Sequence, residues 1–154
     1  MAIQESKLLG PDSSSTPDPT PEIPGYKPKR RDRVGAVNRG GGLLFYIKED
    51  IRFHELSKAE ENGLEVHIIR VQIRRKDWVR ISNVHLPSSS TQDIRFNPAL
   101  TPTGPDSIVV GDLNSHSPRD DEVEDCLLDQ GLTCVNDGLP TLLSKTVVTT
   151  SLLI

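Results

Sequence analysis

The chain has 154 residues, a formal net charge of −4 and a sequence pI near 5.5, enough length for one domain with a core. That balance excludes nucleic-acid binding through an overall basic field; such a partner would need a local patch. Two cysteines, Cys126 and Cys134, make no disulfide framework and lack the clustered partners of a zinc site, so both are expected as reduced core residues of an intracellular protein. Met1 is followed by no apolar leader, and no run reaches the length of a membrane span, which predicts a soluble chain with no membrane partner.

In chain order, Ala2-Ile3-Gln4-Glu5-Ser6-Lys7-Leu8 looks like the end of an element, and Glu5 taken alone is an exposed acid near a terminus. The next stretch, from about 9 to 29, holds Pro11, Pro17, Pro19, Pro21, Pro24 and Pro28 beside Ser13-Ser14-Ser15, and too little apolar surface to offset its ordering entropy. A loop is predicted there. Lys29, Arg30, Arg31 and Arg33, with Lys27, form the densest positive cluster; it reads as a solvated run, as a strip that contacts phosphates, or more weakly as a nuclear-localisation patch. Arg39-Gly40-Gly41-Gly42 then leads into an apolar strand over 43–48. With no helix after it and no Lys-Ser/Thr, the glycine block is no P-loop, and it predicts a tight turn with close sheet approach.

Residues 64–73 and 77–86 give the clearest hairpin, joined by Arg74-Arg75-Lys76-Asp77. A phase slip at Ile69 predicts a bulge or a strand covered on both faces. On the return strand the apolar face of Val79 and Ile81 turns polar at Asn83 and His85. His85 itself fits a strand-end histidine bonded to a neighbour. Residues 88–106 are rich in Ser, Thr and Pro. Ile108-Val109-Val110 predicts a short strand buried on both faces, stopped by Gly111, from whose end Asp112, Asn114 and His116 emerge together. The four letters Gly-Asp-x-Asn are also ordinary turn chemistry. A helix is expected from Asp120-Asp121-Glu122 to Gln130, with Val123, Leu127 and Leu128 as its apolar stripe and Gly131 as its stop; after it come a strand over 132–135, a turn at Asn136-Asp137-Gly138, and β-prone runs to the end.

Ile-Val-Val-Gly-Asp-Leu-Asn at 108–114, Gln4-Glu5-Ser6-Lys7, Arg39-Gly-Gly-Gly, Asn83-Val-His-Leu-Pro and Asn136-Asp-Gly-Leu-Pro-Thr occur in the order found in the endonuclease/exonuclease/phosphatase superfamily. The set most resembles the apurinic-type endonuclease domain of non-LTR (LINE-like) retrotransposons. The resemblance implies an α/β (α+β) fold, a partial two-sheet α/β sandwich of the DNase I-like type, mostly β with few helices, as a single domain over 1–154. It implies further that the domain is shortened at both ends: the family's first strand would precede Met1, and its Ser-Asp-His segment does not occur in the chain. Carried over by motif, Glu5 would ligate the catalytic Mg²⁺ or Mn²⁺, Asp112 would activate or orient the attacking water, and Asn114 would position Asp112 or the phosphate. His85 stands where the family has a tyrosine that reaches the scissile phosphate. The implied activity is divalent-metal-dependent nicking of DNA in the nucleus, with Lys29, Arg30, Arg31 and Arg33 as candidate DNA contacts. Two alternatives stay open: a non-catalytic remnant that binds DNA weakly or not at all, and a phosphatase of the same superfamily. No protein partner is implied.

Overall fold

A computed structural model describes residues 1–10, 16–33, 41–61, 63–87, 106–114, 125, 128–129, 131–134 and 150–153. The expectations on Arg39-Gly40, on 88–105, on His116, on Asp120-Asp121-Glu122 and on Asn136-Asp137-Gly138 lie outside these residues. The described part is mostly β, in two sheets, with helical backbone only at Asp125, Leu128 and Asp129. Gly131, at φ +76°, returns its N–H to the Leu128 carbonyl at 2.9 Å, as a helix-ending glycine does. Leu128 itself, expected on the apolar stripe, is exposed.

The small sheet is antiparallel, in the order β1 (Ala2–Ile3), β3 (Leu43–Lys48), β2 (Tyr26–Arg31). The large sheet runs β4 (Phe53–Glu61), β5 (Leu64–Gln72), β6 (Trp78–His85), β7 (Ser107–Asp112), β9 (Thr150–Leu153), β8 (Thr133–Cys134). Among the described residues only β6 and β7 are parallel neighbours, and every other pair is antiparallel.

Several expectations are corrected. The loop ends before Tyr26, because the start of the basic run pairs with β3 as a strand. Pro28 is tolerated there since β2 is an edge, where a missing N–H breaks no ladder bond. Of the two readings of the slip in β5, the strand covered on both faces holds, with burial from Leu64 to Ile69, and the register shift falls in β4 between Glu55 and Ser57. In β7 the residues Ser107, Val109 and Gly111 are buried while Ile108, Val110 and Asp112 are only half-buried, so one face is better covered than the other.

Two apolar clusters follow from the alternation of side chains along the strands. Leu64, Val66, Ile68, Val84 and Val109, with Leu86, Leu113 and Leu132, bury one face of the large sheet. On the opposite face Ile69, joined by Val71 and Ile81, packs against Phe45 and Ile47 of the small sheet. Dispersion and water exclusion hold the sheets together there, at roughly 25 cal/mol per Å² of apolar surface removed from water.

Candidate active site at the polar end of the sheet interface

The register of β5 and β6 opposes Val71 to Val79, Ile69 to Ile81, His67 to Asn83 and Glu65 to His85. Register partners project to the same face, so the layer between the sheets passes from hydrocarbon to amide and imidazole and then to an ion pair. His67 sits at the boundary, its ring edge-on to Phe45 with centroids 5.0 Å apart.

Asn83 ties the layers together. Its Nδ2 donates to the Ile3 carbonyl at 3.1 Å, and its Oδ1 accepts from Gln4 Nε2 at 2.6 Å. Ser6 and Lys7 then donate their N–H groups to the Gly42 and Gly41 carbonyls, both at 3.0 Å. Held on both sides, the chain between takes left-handed backbone at Glu5, φ +49°, and Lys7, φ +55°. The turn brings Glu5 Oε1 to 3.7 Å from His85 Nε2.

Glu65 is the anchor of this end. It is wholly buried; Oε2 accepts hydrogen bonds from His85 Nδ1 at 3.0 Å and from the Gly42 N–H at 3.1 Å, and Oε1 faces Arg33 Nε at 2.8 Å and Arg31 Nη1 at 3.2 Å. Burial alone would push its carboxyl up; the hydrogen bonds from His85 and Arg33 and the charges of Arg33 and Arg31 more than offset this and hold its pKa down at about 2. An ionised carboxylate only accepts, so His85 carries its proton on Nδ1, and Nε2 is turned towards Glu5. Gly42 is required at its place: φ is +82°, and a Cβ would stand 2.7 Å from Ser6 Oγ.

The parallel register sets His85 beside Asp112 at the C-terminal ends of β6 and β7. Leu86 N–H donates to the Asp112 carbonyl at 2.8 Å, and Asn114 Nδ2 closes the junction on the Leu86 carbonyl at 2.7 Å. Asn114, at φ +45°, gives its N–H to Asp112 Oδ1 at 2.9 Å. This is the Asx turn that Gly-Asp-x-Asn predicts as turn chemistry, and it also fixes the rotamer of Asp112.

Glu5, His85, Asp112 and Asn114 thus gather at one end of the interface. The basic residues do not gather with them as free cations. Arg31 and Arg33 face Glu65, and Arg30 bonds Asp32 and the carbonyls of Leu9 and Asp18, fastening the proline-rich loop to β2. Lys29 lies over the Phe53 ring, 5.6 Å from its centroid. Sequence reasoning missed Glu65 and Gln4 as parts of the site. A glutamate at the start of a strand carries no signal of burial, and its partners Arg33 and His85 lie 32 and 20 residues away.

Among the described residues no three His, Cys, Asp or Glu side chains form a group that could enclose a metal. The donors do suit a magnesium-like ion, which takes one or two carboxylate oxygens and keeps several waters. Glu5 is half exposed, and its recorded contacts, His85 at one oxygen and Lys7 at the other, are both at 3.7 Å, too long for hydrogen bonds. Compared with models of known families and with curated proteins, the chain matches none.

Proposed function

We propose that the chain is a DNase I-like domain of the endonuclease/exonuclease/phosphatase type, and that its reaction is divalent-metal-dependent hydrolysis of DNA phosphodiesters. One observation carries the reading: Glu5, His85 and the Asp112–Asn114 turn, far apart in sequence, meet at one end of the sheet interface, and two of them hold left-handed backbone. Strained backbone held by its surroundings collects at functional sites, and the inference runs from the strain to the function.

Glu5 would hold the metal, which when bound supplies positive charge to the phosphate oxygens. Asp112, with Oδ1 fixed by Asn114, has Oδ2 to take a proton from the attacking water. His85 offers Nε2 to a phosphate oxygen, donating when protonated, and Glu65 keeps the ring from turning. Lys29, Arg30, Arg31 and Arg33 act on DNA in this reading only as part of the local field, since three of them already face carboxylates. The internal pairing of these arginines favours the second reading, a scaffold without catalysis.

Nicking of supercoiled plasmid separates the two. Mg²⁺-dependent nicking that EDTA stops, and that falls by at least about 100-fold in Asp112→Ala, is expected for the enzyme. A folded sample that does not nick gives the scaffold reading first place.

A further inference from the structure

The far side of the molecule carries a second constellation. The edge strand of each sheet, β2 and β4, contributes to an open groove of about 400 Å³ lined by Lys27, Arg52, Phe53, His54 and Trp78, with Glu49 and Asp50 among its remaining residues. Asp50 is engaged by Lys48 at 3.6 Å, and Lys27 Nζ rests on the Glu49 carbonyl at 3.4 Å. Ring meets ring and cation here: His54 and Trp78 have centroids 5.0 Å apart with planes inclined at 38°, and the Arg70 guanidinium lies 4.8 Å from the centre of Trp78. At one end Lys29 covers Phe53, and at the other Trp78 opens directly from the exposed turn Arg74-Arg75-Lys76.

We propose that this groove binds single-stranded nucleic acid. Aromatic rings interleaved with cations offer a flat face to a base and a positive charge to the phosphate beside it, whereas a bare polyanion needs only the charge. Cations continue past the groove in both directions, Lys29 beyond Phe53 and the arginine turn beyond Trp78, which suits a strand of several nucleotides better than one free nucleotide. Duplex DNA hides its bases from such a surface. On a chain of net charge −4 the basic stretch is a local field, so binding will weaken steeply with salt. The groove uses none of Glu5, His85, Asp112 and Asn114, and shares with the catalytic reading only Lys29, at its edge.

Trp78 is the sole tryptophan of the chain and reports directly on the site. The test is titration of the full chain with an oligothymidylate of about 12 nucleotides in EDTA, following tryptophan fluorescence, with the matching duplex and heparin as parallel probes. Saturable quenching by the single strand, bound more tightly than the duplex and weakened about 10-fold by His54→Ala or Arg70→Ala, is expected. Both substituted side chains are exposed, so the variants keep the fold. Equal affinity for the duplex, displacement by heparin without quenching, or binding unchanged in both variants would overturn the proposal. Plasmid nicking is read separately, so either idea can fail without the other.

Discussion

The two ends of the sheet interface are built on the same two strands in one unbroken register, yet they are held by different forces. At one end Ile69 and Ile81 meet Phe45 and Ile47, and the contact is non-directional: any apolar side chains of similar volume would serve. At the other end Glu65 is buried with an imidazole, two guanidinium groups and a backbone N–H, each in a fixed direction. On that face one register pair, His67 with Asn83, separates them. A hydrocarbon end tolerates loss of atoms gradually, whereas an ionic end fails when one partner goes, because what remains is a buried charge.

The largest effect should therefore come from Glu65→Ala, which strands Arg31 and Arg33: a loss of about 3–5 kcal/mol in urea unfolding is expected. A loss below 1 kcal/mol would mean that the arginines find water, and the contrast between the ends would vanish. Gly111→Ala attacks the seam that sets His85 beside Asp112, since its Cβ would lie 2.1 Å from the Val84 carbonyl oxygen. Backbone on both sides cannot yield cheaply, so about 3 kcal/mol is expected, with loss of whatever activity the site has. Ile69→Ala at the apolar end should cost about 2–4 kcal/mol and leave the acid limb of the stability curve unchanged in shape.

Acid sharpens the comparison further. Burial outweighs the raising effect of Glu55 and holds the His67 imidazole below its usual 6.5, so the native state prefers it neutral. The unfolded chain then binds the proton first. The His67 contribution is complete above pH 6.5 and is lost as pH falls from there towards its depressed native value. Glu65 has a lowered carboxyl pKa, so its contribution is complete above about 4.5 and is lost as pH falls to about 2. Stability against pH should show two descending steps, and His67→Phe should erase the upper one while trimming the lower, because His67 also helps to hold the Glu55 carboxyl down. The smallest effect belongs to Asn114→Gly: freeing φ +45° from its side chain offsets the lost bond to Leu86, and a change within about 1 kcal/mol is expected by thermal unfolding.

What could be read in the sequence follows the same division. β3, β5, β6 and β7 announce themselves through β-branched and alternating apolar residues, because water exclusion leaves a periodic trace. β4 leaves none: His54-Glu55-Leu56 are exposed on an edge strand, so neither hydropathy nor propensity marks them. β2 hides behind Pro28 and the basic run. Of the candidate site, Glu5, His85, Asp112 and Asn114 were visible through ordered motifs, while the carboxylate that holds His85 was not. A buried ion pair is written in two or three places at once, and no single window of sequence contains it.

Pro28 has a consequence beyond its own strand. A sheet edge is a row of unmet N–H and C=O groups, open to any strand of another molecule. On β2 that row is interrupted by a residue without an N–H and flanked by Lys27 and Lys29, whose charges repel a second copy. The β2 edge of the small sheet is thus blunted against self-association by covalent structure and charge. Pro28→Val would restore the row and should turn a concentrated solution of the protein from monomers towards ordered aggregates, with little change in the fold of each molecule.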